Sequence, residues 1–226
     1  MDIVVVDLGL GNLRSVEKAV ALAAHGLGLA HPQISADPEI IANAKCVINP
    51  GQGAFRDGVA ALDAGGGALR DCLRAYISSA KPYFGICLGL QLLFESSEEA
   101  PGARGLGVVA GRVTKLPTDL HEPSEPNRPL KIPHMGWNQP HLANTEAARI
   151  FAPFFESAGN APWFYFVHSF HGVPVDARWI AATADYGGFE ITAAIAKDNI
   201  IATQFHPEKS QKAGIALLTS YLRSHV

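Results

Sequence analysis

The 226-residue sequence has little cysteine, little net charge and no long apolar run, and each shortage excludes a class of protein. The three cysteines are an odd number without regular spacing, which argues against a disulfide framework and favours a reducing compartment. A formal net charge of −3 argues against a surface that binds nucleic acid. No apolar run approaches the length of a bilayer span, so no membrane segment is predicted.

The start and the composition of the chain suggest its location and its size class. The segment 1–6 opens directly on a strand pattern without a positively charged stretch, which predicts no signal peptide and a cytoplasmic location. A hydrophobic content of 48% is enough for a sizeable core. Neither an internal repeat nor a dividing linker is visible, so residues 1–226 are expected to form a single domain.

The pattern of apolar residues predicts an α/β fold. Strands and helices alternate in the first half, and strands dominate the second half. This order implies a mostly parallel central sheet flanked by helices on both faces, with an antiparallel extension. The predicted strands are 3–8, 46–48, 83–86, 108–116, 163–170, 179–184, 191–196 and 200–205, and the predicted helices include 13–23, 69–77, 90–94 and 215–222.

One segment stands apart in composition. The range 116–133 contains five prolines mixed with charged residues. Proline removes a backbone donor, so this run is expected to form neither a strand ladder nor a helix. We predict a surface loop there, and the sequence suggests no function for it.

A cysteine flanked by glycines is the most informative feature. Gly85, Cys87 and Gly89 lie between a predicted strand and a predicted helix, so the cysteine would occupy a sharp turn with its side chain exposed. Bulky residues two positions away would collide there, and glycine avoids the collision. A thiolate beside a helix N-terminus is a candidate nucleophile, and the Leu88 N–H is a candidate oxyanion donor. A buried structural cysteine is the alternative.

A candidate base follows the last predicted strand. His206 and Glu208 flank Pro207, which would end the strand and leave both side chains at the carboxyl end of the sheet. Glu208 can accept one imidazole N–H and fix the tautomer, so that the other ring nitrogen faces the thiol. The alternative is a histidine in a loop beside a solvated glutamate, which the cysteine turn disfavours.

The turn after the first strand contains glycines but does not match a dinucleotide-binding fingerprint. Arg14 stands where the third glycine of that fingerprint belongs. Asn12 is instead expected to cap the helix that follows.

A second glycine-containing turn follows the strand 46–48. Gly51 and Gly53 flank Gln52 directly after a proline. A flexible peptide here would let a backbone N–H turn toward Cys87 and complete an oxyanion hole. An ordinary Pro-Gly turn is the alternative.

The cysteine turn followed by a distant His-Pro-Glu sequence resembles the class I glutamine amidotransferases, which use a Cys-His-Glu triad. Three further segments resemble the glutaminase subunits of imidazole glycerol phosphate synthases: PHMGWN at 133–138, YFVHSF at 165–170 and QFHPEKS at 204–210. The likeness extends from residue 7 to the last helix. It implies that Cys87 is the nucleophile, His206 the base and Glu208 its orienting partner.

The resemblance also implies how glutamine is held. The N–H groups of Leu88 and Gln52 would form the oxyanion hole, and the strand around Gln52 would rest in an inactive orientation until the partner's site is occupied. Gln91 lies one helical turn beyond Cys87, so it can reach the same pocket. The full set of implied glutamine-binding residues is Gly51, Gly53, Gln91, Glu99, Val167, His168 and Ser169.

The resemblance implies a partner and neither a metal nor a cofactor. A separate cyclase subunit with a (β/α)₈ barrel would receive the ammonia in a heterodimer. Asn12, Trp137 and Lys209 are the implied contacts. Trp137 is expected in a Gly-Trp-Asn turn, where an aromatic side chain suits either core packing or an interface anchor. Two alternatives stay open: a glutaminase for purine, anthranilate or pyridoxal phosphate synthesis, or a catalytically silent scaffold.

Overall fold

A computed structural model describes residues 2–226 of the chain. The helices are α1 (Leu13–His25), α2 (Pro38–Ala42), α3 (Phe55–Asp63), α4 (Ala68–Ser78), α5 (Leu88–Gln91), α6 (Glu146–Glu156) and α7 (Gln211–His225). The strands are β1 (Ile3–Val6), β2 (Gln33–Ser35), β3 (Cys46–Asn49), β4 (Tyr83–Ile86), β5 (Phe94–Ser97), β6 (Val109–Lys115), β7 (His121–Glu122), β8 (Glu125–Pro129), β9 (His134–Asn138), β10 (His141–Leu142), β11 (Phe164–His168), β12 (Phe170–Pro174), β13 (Ile180–Tyr186), β14 (Phe189–Lys197) and β15 (Ile200–Thr203).

An eight-stranded sheet forms the centre of the molecule, in the order β10-β13-β14-β15-β4-β3-β1-β2. The five strands from β15 to β2 are mutually parallel, and β14, β13 and β10 extend the sheet in antiparallel fashion. The parallel part has the strand order of flavodoxin-like folds. The predicted mostly parallel sheet with an antiparallel extension is therefore confirmed.

Helices cover both faces of this sheet. Helices α1, α6 and α7 pack on one face, and α2, α3 and α4 pack on the other. Every residue of β1, β3, β4 and β15 is buried, as parallel strands covered on both faces require. No helix within residues 2–226 is long and apolar enough to cross a bilayer.

The predicted helix at 90–94 is wrong. Helix α5 ends at Gln91, and Phe94 begins strand β5, which pairs in parallel with β6. The carbonyl groups of Leu92 and Leu93 accept hydrogen bonds from the segment 106–109 instead of continuing a helix. A short apolar run does not distinguish a buried strand from a buried helix, and here the tertiary pairing decides.

Four other predicted elements need correction. The range 163–170 belongs to two strands rather than one. Strand β11 pairs with β9, strand β12 pairs with β6, and the change of partner occurs at Ser169. Most of the range 116–133 lies at the surface as predicted, although Leu116 is buried, but its residues 121–129 form the hairpin of β7 and β8, whose edge positions tolerate proline. The predicted strands 3–8 and 200–205 each end two residues early, at Val6 and Thr203.

Candidate active site

Cys87 lies in the turn between β4 and α5, in a strained backbone conformation. Its φ of 52° and ψ of −101° are rarely adopted by a residue with a side chain. A Cβ on Gly89 would come within 1.8 Å of the Asn49 carbonyl oxygen, and one on Gly85 within 2.9 Å of the Gly89 carbonyl oxygen. Only glycine fits at both positions. The prediction of an exposed Cys87 side chain is wrong. The residue is only 7% exposed and borders a cavity.

His206 and Glu208 form a buried pair just beyond the end of β15. The His206 Nδ1 lies 2.7 Å from the Glu208 Oε1, so Nδ1–H donates to the carboxylate. Among residues 2–226 the His206 Nε2 has no hydrogen-bond partner. Burial opposes a charge on the ring, but the neighbouring Cys87 sulfur and the Glu208 carboxylate together raise the pKa of His206 to about 10. The ring is therefore set to hold a proton.

The backbone near Cys87 does not present two converging donors. The Leu88 N–H donates to the Gly51 carbonyl oxygen at 3.4 Å. In a trans peptide the carbonyl and the following N–H point in opposite directions, so the Gln52 N–H points away from Leu88. The oxyanion hole that the sequence predicts is therefore not formed in this structure.

A cavity of about 280 Å³ opens beside Cys87. Its lining includes most of the predicted glutamine-binding residues, namely Gly53, Gln91, Glu99, Val167, His168 and Ser169. Gln52, Pro133 and Phe170 also line it. Gly51 faces instead a smaller cavity next to His206 and Glu208. The Glu99 Oε2 also accepts the Phe55 N–H at 2.7 Å, which caps the start of α3. The structure thus brings six of the seven residues to one cavity.

Comparison with known proteins identifies the family. The sequence pattern of the class I glutamine amidotransferases matches residues 4–221. The chain belongs to this family. It is 44% identical to the imidazole glycerol phosphate synthase subunit HisH of Syntrophotalea carbinolica, over 97% of this chain and 98% of that one. It is also 44% identical to the HisH subunit of Synechococcus elongatus, over 97% of this chain and 92% of that one.

Solved structures show the same fold at lower identity. The structure of PurLQS from Thermotoga maritima matches 99% of this amidotransferase and 98% of its own chain, with a TM-score of 0.68 and 17% identity. The predicted fold class and the predicted glutamine amidotransferase are confirmed. The roles of individual residues are not tested by these comparisons and stay predictions.

The three residues predicted to contact a partner lie at the surface in two places. The Trp137 patch comprises Met135, Trp137, Tyr165 and Lys209, with the Trp137 ring edge-on to Tyr165 and the Lys209 Nζ 5.8 Å from the Tyr165 ring centre. Met135 is 61% exposed and Trp137 is 44% exposed. Asn12 caps α1 as predicted, and its side chain accepts the backbone N–H of the third helical residue.

Sequence analysis of this amidotransferase missed a buried histidine pair beside the cavity. The His168 Nδ1–H donates to the Phe170 carbonyl, which leaves its Nε2 to accept from the His134 Nδ1–H at 3.2 Å. The Asn138 amide then lies 3.4 Å from the His134 Nε2. Burial lowers the pKa of His134 to about 4 and that of His168 well below its usual value, so both rings are neutral.

A buried glutamine was also missed. Gln204 is fully buried between Cys87 and Gln91, although it follows the apolar strand β15. The available signal was a long polar side chain at the end of an otherwise apolar strand, two residues before His206. Such a side chain needs buried hydrogen-bond partners, which the sequence does not name.

Proposed function

We propose that this amidotransferase is the glutaminase subunit of an imidazole glycerol phosphate synthase. It hydrolyses glutamine to glutamate and ammonia, and a separate cyclase subunit uses the ammonia to make imidazole glycerol phosphate and aminoimidazole carboxamide ribotide. The observation that carries the hydrolysis is the buried His206–Glu208 pair beside Cys87. The identity of the synthase rests on the two HisH relatives, which cover nearly the whole chain.

The reaction divides between the three side chains. The Cys87 thiolate attacks the carboxamide carbon of glutamine and forms a C–S bond. His206, which holds a proton, gives it to the departing nitrogen as the C–N bond breaks, and ammonia leaves. The neutral His206 then takes a proton from water, whose oxygen attacks the γ-glutamyl thioester, and Cys87 departs as a thiolate. Glu208 keeps the ring oriented through both steps.

The cavity beside Cys87 suits an amino acid with two charged ends. Gln91 donates one amide hydrogen to the Phe170 carbonyl at 3.0 Å and the other to the Gln204 Oε1 at 3.2 Å. Its own Oε1 is then the atom that accepts from the ammonium group of the substrate, together with the Glu99 carboxylate. The segment 167–169 lines the same cavity, and its backbone groups would bind the α-carboxylate.

The Trp137 patch supports a protein partner. A cluster of aromatic and sulfur-containing side chains with one lysine has the composition of an interface hot spot. Lys209 joins this patch to the active site, because it follows Glu208 in the same 3₁₀ turn. A shift of Lys209 on binding of the cyclase would therefore be passed to Glu208 through this one turn.

A reconstitution experiment tests the proposal. The chain is combined with the cyclase subunit of an imidazole glycerol phosphate synthase, and glutamate release and imidazole glycerol phosphate are measured together. We expect both products in equal amounts, and growth of a histidine auxotroph that lacks only the glutaminase subunit. Product formation with a purine, anthranilate or pyridoxal phosphate synthase instead would overturn the assignment, and absence of glutamate in every complex would indicate a scaffold.

A further inference from the structure

The carboxamide of Gln204 contacts the sulfur of the proposed nucleophile. Its Nε2 lies 3.4 Å from the Cys87 Sγ, within the range of an N–H···S hydrogen bond. The side chain is fully buried, and its backbone N–H is fixed by the Ala193 carbonyl at 2.8 Å. Gln204 therefore touches the sulfur of Cys87 from the protein interior, directly after the end of β15.

The direction of this contact is set by neighbouring groups. The Phe170 carbonyl can only accept, so the Gln91 atom 3.0 Å from it must be the Nε2 donor. The same Nε2 lies 3.2 Å from the end of the Gln204 side chain, which must therefore be the Oε1 acceptor. The other terminal atom of Gln204 is then the NH₂ group, and it faces Cys87. A reversed carboxamide would place two donors against each other.

We propose that Gln204 is a further catalytic residue of this amidotransferase, which donates a hydrogen bond to the Cys87 sulfur and stabilises it as a thiolate. The inference rests on the proposed function for its role in glutamine hydrolysis. His206 and Glu208 supply the proton and the orientation of the base, whereas Gln204 supplies a neutral donor that stays in place when the proton moves.

The hydrogen bond acts at two points of the reaction. Before the attack it favours the charged sulfur, because an N–H donor interacts more strongly with a thiolate than with a thiol. When the thioester is hydrolysed, the C–S bond breaks and the electron pair returns to sulfur, and the same donor receives the departing thiolate. Gln91 holds the donor in position, so the residue that lines the substrate cavity also orients the nucleophile.

Alkylation of Cys87 measures the thiolate without glutamine or a partner. The rate of reaction with iodoacetamide is followed as a function of pH in the full chain, and the peptides that carry Cys87 and Cys72 are quantified by mass spectrometry. Cys72 is the internal control, since its Sγ contacts the Pro38 carbonyl rather than Gln204. An unchanged Cys72 rate and an unchanged melting temperature show that a variant is folded.

Two substitutions of similar shape remove the donor. In Gln204→Leu we expect the half-maximal pH for Cys87 alkylation to rise by about one unit, as expected for loss of a hydrogen bond to a charged group. Below the midpoint the rate should fall by about threefold, because the remaining thiolate is also a stronger nucleophile. Gln204→Glu should produce a shift in the same direction that is at least as large, since a carboxylate faces the sulfur.

A third variant provides a test if neither Gln204→Leu nor Gln204→Glu folds. Gln91→Met leaves Gln204 in place but removes the group that orients it, so a smaller shift in the same direction is expected. Unchanged Cys87 midpoints in the folded variants would overturn the proposal. Glutamate release by the wild-type complex is measured separately, so failure of the proposed function is distinguished from failure of this inference.

Discussion

The two sides of the active site differ in how firmly they are held. On the triad side, the Cys87 N–H donates to the Thr203 carbonyl at 2.7 Å, the His206 N–H donates to the Tyr165 carbonyl at 2.9 Å, and Glu208 lies 2.7 Å from the His206 ring. On the proposed oxyanion side, the Gly51 carbonyl accepts the Leu88 N–H at 3.4 Å. That distance exceeds the usual range for N–H···O bonds, so the contact is weak.

Hydrogen bonds fix the end of strand β3, just before the Gly51–Gln52 peptide. The Asn49 side chain donates to the Tyr83 hydroxyl at 2.8 Å, which in turn donates to the Gly89 carbonyl at 3.1 Å. This buried chain ties the end of β3 to the turn that carries Cys87. The proposed nucleophile and its proposed base are thus held in place, whereas the Gly51–Gln52 peptide would have to rotate before its N–H could serve as the proposed oxyanion donor.

The largest effect should come from removing the nucleophile on the rigid side. Cys87→Ala should abolish glutamine-dependent synthesis in the complex with the cyclase, because no other group can form the thioester. Synthesis from added ammonia should be unchanged, since the cyclase chemistry lies on the other chain. Parallel assays with glutamine and with an ammonium salt check this. Loss of both activities in a complex that still assembles would contradict the division of labour.

Replacing His206 should lower kcat more than replacing Glu208. His206→Ala should lower kcat by about 10²–10⁴-fold, because proton transfer to ammonia and from water is lost. Glu208→Ala should cost less, because Pro207 and the Tyr165 carbonyl still hold the His206 backbone in place. Steady-state glutamate release in the complex measures both. An inactive Glu208 variant beside a nearly active His206 variant would show that the roles are assigned wrongly.

The proposed oxyanion side can be tested by removing one backbone donor. Gln52→Pro deletes the proposed oxyanion N–H and should lower kcat in the complex by about 10²–10³-fold. Gln52→Ala keeps the N–H and is the matched control, which should retain most of the activity. In the chain without a partner, Gln52→Pro should change little, because the donor already points away. A large loss in the isolated chain would show that the hole is formed there.

The smallest effect is expected at the Trp137 patch. Trp137→Ala should weaken binding of the cyclase by about tenfold or more, as for an aromatic hot spot, and leave the fold intact because the side chain is half exposed. Trp179→Ala is the control: this tryptophan packs under Lys197 and lies on the 3₁₀ turn 177–179, outside the patch. Calorimetric titration of both variants compares them. Equal affinities would place the interface elsewhere.

The sequence predicted the parts of the site that depend on local rules. Glycines at 85 and 89 indicated a tight turn around Cys87, and the proline between His206 and Glu208 indicated the end of a strand. The structure adds the parts that depend on distant pairing. Gln204 and His134 meet their partners through contacts more than 30 residues apart in sequence, which a single-sequence pattern does not contain.

The same reason explains the errors in the fold. The apolar run at 90–94 fits a helix or a buried strand equally well, and pairing of Phe94 with Val109 decides for the strand. Helices α2, α3 and α6 and the short strands β2, β9 and β10 were not predicted at all. Their positions follow from packing against elements that are distant in the chain.

The central claim is that the proposed triad stays nearly inactive until the oxyanion hole forms. Glutamate release by the purified chain tests this claim most directly. The rate is measured for the chain alone, with the cyclase, and with the cyclase and its ligand bound. The account predicts a poor enzyme when alone and a rise of about 10²–10³-fold when partner and ligand reorient the Gly51–Gln52 peptide. Equal rates under all three conditions would contradict it and would indicate a free-standing glutaminase.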